Sequence, residues 1–164
     1  MKDDIYIFDF DGTIIDSSHR GINNPDGSIN LEYWKQHNTK EHIFQDTLLP
    51  LYAYAKWLSE IGAYCVGCTA RELTKYDEEF FLLCGFDKIF ERIISRPKGN
   101  TTKDCDLKAM QLQYLFNLKS FKKKNKYFFD DNAQNRYALM KMGAFTFDPI
   151  EYMHNDYGLI PDKL

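Results

Sequence analysis

At 164 residues, 44% of them hydrophobic and 16% aromatic, the chain has the material for one domain that buries roughly 70% of its unfolded surface. A formal net charge of −3 excludes the broad basic coat needed to bind nucleic acid along its length, but not a site that handles only the end of a strand. No apolar stretch approaches the ~18 residues of a membrane span, and MKDDIYIF is no signal peptide, so a soluble, cytoplasmic protein is expected.

In chain order, short β-rich runs alternate with helical patterns, the signature of an α/β fold with a parallel sheet of about five strands. Ile5–Asp9 reads as the first strand, an apolar run that ends by crowding Asp9 and Asp11 around a single phenylalanine. From residue 17 to 43 follows a polar insertion with a turn signal at Pro25-Asp26-Gly27, expected to form a small cap or lid. Phe44–Ile61 reads as a helix, Ala63–Cys68 as a strand, Glu72–Cys84 as a helix and Ile89–Ser95 as a strand. Helices over Thr102–Asn117 and Ala133–Met142 alternate with strands Lys126–Asp130 and Ala144–Phe147, leaving 148–164 as a tail. Glycines 62, 85 and 143 fall where helix C-termini are expected.

Two local patterns invite stronger readings. Cys65 and Cys68 have CxxC spacing, but an i,i+3 pair on a strand points to opposite faces, so buried structural cysteines are expected. The lysine-rich run from Lys119 to Lys126 precedes a strand and therefore lies at the sheet edge away from ligands, where it reads as a solvated helix end.

The chemically loaded residues all fall just after strand C-termini: Asp9 and Asp11, Thr69 and Arg71, then Lys103, Asp104 and Lys108, then Asp130 and Asp131. Open α/β sheets bind ligands at that edge. Asp9 and Asp11 share one side of the chain, so one carboxylate can attack while the other moves a proton. Four aspartates, Asp9, Asp11, Asp130 and Asp131, bring a charge of −4 that calls for a divalent cation, and oxygen-only ligands point to Mg²⁺. Lys108, Arg20 and Arg71 are positioned to hold phosphate oxygens. Lys98 and Lys103 compete with Lys108, which the i,i+4 spacing to Asp104 would orient.

Asp9-Phe-Asp-Gly-Thr13, Thr69 after an apolar strand, Lys108 and the Asp130-Asp131 pair resemble, in order, the four motifs of the haloacid dehalogenase superfamily. The resemblance implies a three-layer Rossmann-like sandwich and, because Asp11 is present, a phosphatase rather than a dehalogenase. It implies Asp9 as nucleophile, Asp11 as general acid and base, Thr69 and Lys108 on the phosphoryl group, and Mg²⁺ on Asp9, the Asp11 carbonyl and Asp130, with Asp131 bound directly or through water. The stretches Thr69-Ala-Arg-Glu72 and Asp104-x-x-x-Lys108, with Arg20 after the second aspartate, are similar to the 3′-phosphatase domain of bacteriophage polynucleotide kinase-phosphatase. That likeness implies Arg20, Arg71 and Asp104 at the substrate, and a site of action in host cytoplasm if the chain is of phage origin. No GxxxxGK[ST] occurs, so the kinase half is missing.

The insertion has no room for a large cap, which favours a polymer end as substrate. Tyr33 and Trp34 either stack on a base or anchor the insertion, and Arg136, beyond the acidic pair, either reaches substrate or, the favoured reading, stays on the helix surface. The leading expectation is removal of 3′-phosphate from nucleic-acid ends. The alternatives are a nucleotidase acting on free (deoxy)nucleotides and a non-enzymatic interaction domain.

Overall fold

Residues 4–22, 24–25 and 30–154 are described by a computed structural model of the chain. The middle of the Pro25-Asp26-Gly27 turn and the tail beyond residue 154 lie outside them. The apolar run after the N-terminus forms β1 (Asp4–Phe8), which pairs in parallel with β4 (Tyr64–Cys68) on one side and β6 (Asn125–Phe129) on the other. Strands β5 (Arg92–Ile94) and β7 (Phe145–Phe147) extend the sheet outward, giving the order β5-β4-β1-β6-β7, all parallel. The chain builds outward from β1 through β4 to β5, then crosses back to β6, so the order reverses beside β1. In such sheets, ligands bind at the reversal point, outside the C-terminal strand ends.

Strand periodicity sorts the core into two layers. Ile5 and Ile7 face Val66, Cys68, Leu112, Leu115, Phe128 and Leu139. Phe8 and Phe10 face the opposite way, into an aromatic layer with Phe81, Phe86, Phe90 and Phe129. Cys65 belongs to this second layer and Cys68 to the first, so the two thiols stand on opposite faces, free and buried. Burial pushes both thiols up to about 12, which keeps them protonated and inert.

The strands lie within a residue or two of expectation except around residues 86–95, where a short helix, α5 (Phe86–Ile89), precedes β5. Gly85 adopts φ 73°, and Phe86 and Ile89 turn back into the core. The expected helix from Phe44 is corrected to α3 (Leu51–Glu60). Thr47–Leu48 instead forms β3, antiparallel to β2 (Ile15–Asp16), and Pro50 stands at the helix entry. Likewise α4 runs Lys75–Leu83, because Thr74 and Asp77 close a capping box that sets its start three residues later than expected.

The 17–43 segment contains a 3₁₀ turn (Ser18–Arg20) and two short helices, α1 (Leu31–Gln36) and α2 (Lys40–Ile43). Helices α6 (Asp104–Asn117) and α7 (Ala133–Lys141) pack on the Ile5 layer, and α8 (Pro149–His154) docks through Tyr152 onto Tyr54, Phe129 and Phe147. Among the described residues, no helix is long and apolar enough to cross a membrane.

Candidate active site

Three strand ends meet at one point. Asp9 follows β1 and donates its backbone N–H to the Phe129 carbonyl of β6 at 2.9 Å, while Asp130 follows β6. Lys108, from the second turn of α6, reaches between them: its Nζ lies 2.6 Å from Asp9 Oδ1 and 2.6 Å from Asp130 Oδ2. Burial opposes the charge on Lys108, but the two carboxylates outweigh it and hold the ammonium above its ordinary range. Burial pushes the Asp9 carboxyl well up, Lys108 pulls it down, and Asp130 raises it again.

Asp130 is clamped in place. Its Oδ1 accepts from Asn132 N at 2.8 Å and its Oδ2 from Asn135 Nδ2 at 3.0 Å, both at the start of α7. Arg136 donates to the carbonyls of Asp130 and Asp131 and pairs with Asp148 at 3.0 Å, so it braces the acidic turn from behind. Carboxylate oxygens of Asp9, Asp130 and Asp131 lie within 4.8 Å of one another. This all-oxygen set suits a hard divalent cation such as Mg²⁺. Burial and the neighbouring Asp130 raise Asp131 to about 6, a repulsion that a cation would relieve. Gly12 makes the arrangement possible: at φ 75° a Cβ there would come 2.4 Å from Asp131 Oδ2.

Asp11 faces a different environment. Arg71 grips its carboxylate through Nε at 3.2 Å and Nη2, and Ser17 Oγ donates to Oδ1 at 2.6 Å. Burial works against ionisation here too, yet Arg71 and Ser17 override it and hold Asp11 below the usual carboxylate range. Thr69 follows β4, is buried, and accepts the backbone N–H of Arg71 on its Oγ1 at 3.1 Å. Asp9, Asp11, Thr69, Arg71, Lys108, Asp130 and Asp131 therefore converge on one sheet edge.

Two expected site residues are placed otherwise. Asp104 does not pair with Lys108; it binds Arg96 at 2.5 Å, because Lys108 is drawn inward by two carboxylates that carry more charge than one exposed aspartate. Arg20 is fully buried: Nε and Nη2 bind Asp46 at 2.9 and 2.5 Å, and Nη1 binds Asn38 at 2.9 Å. Trp34 lies over Arg20 at 4.7 Å and over Arg71 at 5.5 Å, and Tyr33 stacks on His37 at 3.7 Å. Trp34 thus ties the insertion to the body through Arg71, whereas the Tyr33–His37 stack lies within the insertion. Residues not anticipated are Ser17, Asp46, Asp77 and Asn135. Of these only Asp77 carries a local signal, as the acidic partner of Thr74 in a T-x-x-D helix start.

A family profile described as bacteriophage T5 5′-deoxynucleotidase matches residues 1–151. The chain belongs to that family. The 5′-deoxynucleotidase of Escherichia phage T5 is 38% identical over 77 residues, which is 44% of this chain and 32% of that protein, so the match spans a minor part of the relative's length. Among solved structures, a phosphatase described as putative from Clostridium difficile superposes with a TM-score of 0.65 at 16% identity, covering 87% of this chain and 82% of that one. A haloacid dehalogenase-like hydrolase from Streptococcus pneumoniae gives 0.64 at 14%, with the same coverages of 87% and 82%. A chain of the Pnkp1/Rnl/Hen1 RNA repair complex gives 0.57 at 21%, covering 88% of this chain and 42% of that one. This member of the T5 5′-deoxynucleotidase family thus has the haloacid dehalogenase-like fold.

Proposed function

We propose that the protein is a Mg²⁺-dependent phosphomonoesterase that hydrolyses 5′-deoxynucleoside monophosphates through an aspartyl-phosphate at Asp9, acting in the cytoplasm of a phage-infected host. The observation that carries the chemistry is the separate pairing of two adjacent carboxylates, Asp9 with Lys108 and Asp11 with Arg71. Carboxylates in unlike surroundings take unlike roles. The family match over residues 1–151 supports the substrate class. The burial of Arg20 against Asp46 withdraws the residue on which the 3′-end reading leaned.

In this scheme an Asp9 carboxylate oxygen attacks phosphorus and the bond to the nucleoside oxygen breaks, with Asp11 giving that oxygen its proton. Water then attacks the aspartyl-phosphate, its proton passes to Asp11, and the bond to Asp9 breaks to release inorganic phosphate. The approaching dianion pushes the Asp11 carboxyl upward, favouring the acid form in the complex. Thr69 donates to phosphoryl oxygens, and Lys108 offsets negative charge on Asp9 and phosphate. Asp9, Asp130 and Asp131 would hold Mg²⁺, which supplies charge neutralisation at the phosphoryl group.

The test offers 5′-deoxynucleoside monophosphates and oligonucleotides phosphorylated at either end, in Mg²⁺ or EDTA. Phosphate release from mononucleotides, in Mg²⁺ only, is expected. Preferential release from 3′-phosphorylated oligonucleotides would overturn the substrate class. Asp9→Asn is expected to abolish turnover while the circular-dichroism spectrum is kept; near-wild-type activity would remove Asp9 as nucleophile.

A further inference from the structure

The guanidinium of Arg71 sits inside a ring of acids that belong to three different parts of the chain. Its Nη1 lies 2.5 Å from Asp77 Oδ1 on α4, Nε and Nη2 face Asp11, and Nη2 is 3.8 Å from Asp46 Oδ2. Trp34 covers the group from the insertion side. The Arg71 side chain is 2% exposed, and Asp77 and Asp46 are fully buried, whereas the Asp11 side chain is 32% exposed. Only Asp11 presents the cluster to the site. A phosphate could reach Arg71 only by displacing acids already bound to it.

Asp77 is built to hold that arrangement still. Its second oxygen, Oδ2, accepts from both the N–H and the hydroxyl of Thr74, at 2.8 Å each, at the start of α4. One carboxylate therefore ties a helix terminus to the guanidinium that orients Asp11, and a charge-assisted, forked geometry of this kind fixes direction as well as energy.

We propose that Arg71 is the positioning residue of Asp11 rather than a phosphate ligand, and that Asp77 in turn positions Arg71, so that the pair governs delivery of the proton to the leaving oxygen. This rests on the phosphomonoesterase reading above. Its consequence is a dependence on the leaving group. A nucleoside alkoxide must be protonated as it leaves, whereas a nitrophenolate is stable enough to depart without help. The ratio kcat/KM reports only steps up to formation of the aspartyl-phosphate, so it isolates the acid role of Asp11 from its later role as base.

The experiment measures kcat/KM for Asp77→Asn on a 5′-deoxynucleoside monophosphate and on p-nitrophenyl phosphate, with Thr74→Ala as a control that loses the helix cap but keeps the Arg71 contact. Asp77→Asn is expected to lose about tenfold or more on the nucleotide and less than about threefold on the aryl ester, a share of the usual worth of a general acid. Thr74→Ala is expected to affect both substrates alike. In an Asp11→Asn background, Asp77→Asn should cost nothing further on the nucleotide. If Asp77→Asn does not fold, Arg71→Lys, which keeps the charge but not the fork, should show the same selective loss. Equal losses on both substrates, or a loss that persists without Asp11, would overturn the proposal. A wild-type protein inactive on both esters would instead overturn the phosphomonoesterase reading itself.

Discussion

Lys108 shows how far a single buried charge can organise a site. Its side chain is 1% exposed and it bridges Asp9 and Asp130 at 2.6 Å each. Removing one partner from a buried ionic group strands the others, at a cost of about 3–5 kcal/mol. Lys108→Met, close in volume but neutral, should therefore lower the unfolding free energy obtained by urea titration in EDTA by an amount in that range, with a matching fall in the midpoint. It should also abolish phosphatase activity. A wild-type midpoint would mean that the two carboxylates do not depend on this ammonium. The pairing also explains why an i,i+4 rule misassigned Asp104. Helix spacing identifies which side chains can meet, but burial and the number of opposing charges decide which do.

At the scale of elements, alternation along β1 lets Phe8 and Phe10 enter the core while Asp9 and Asp11 reach the site. Gly67 on β4 completes the fit: a Cβ there would lie 2.4 Å from Phe10 Cζ. The Phe10 ring cannot move aside, being packed edge-on by Phe81 and Phe86 at 5.1 and 5.2 Å. Overpacking of this kind costs about 1–3 kcal/mol. Gly67→Ala should thus lower the melting temperature, and activity with it, because Phe10 separates Asp9 from Asp11; a variant with wild-type melting would show that the aromatic layer has slack. The five parallel strands and the clustering of Asp9, Asp11, Thr69, Lys108, Asp130 and Asp131 were legible because periodicity and strand ends are local signals. The β2–β3 pairing, α5, and the Arg20–Asp46 contact were not, since each depends on partners distant in the chain. The T-x-x-D spacing of Thr74 and Asp77 is a local cap signal that the expected helix start at Glu72 passes over, and the pairing of Asp77 with Arg71 has no such signal.

For the whole molecule, the 17–43 insertion is held to the body by buried chemistry as well as by its connections. Arg20–Asp46 pins its start, and Trp34 lies across the Arg20 and Arg71 guanidiniums. Cation–π contacts contribute about 0.5–2 kcal/mol each. Trp34→Ala should therefore speed tryptic cleavage after the exposed Lys35, followed by mass spectrometry; an unchanged rate would assign the anchoring to the ion pairs Arg20–Asp46 and Lys40–Glu79. The same indole has a practical use. The chain holds two tryptophans, Trp34 and Trp57, and Trp57 stacks with Tyr54 on α3, on the far side of β3 in sequence. Replacing Trp57 with phenylalanine would leave one tryptophan, which can be excited at wavelengths the eleven tyrosines do not absorb, seated on the guanidinium that grips Asp11. Its emission would then be an unlabelled optical gauge of whether the insertion stays down or lifts while substrate binds, turns over and leaves.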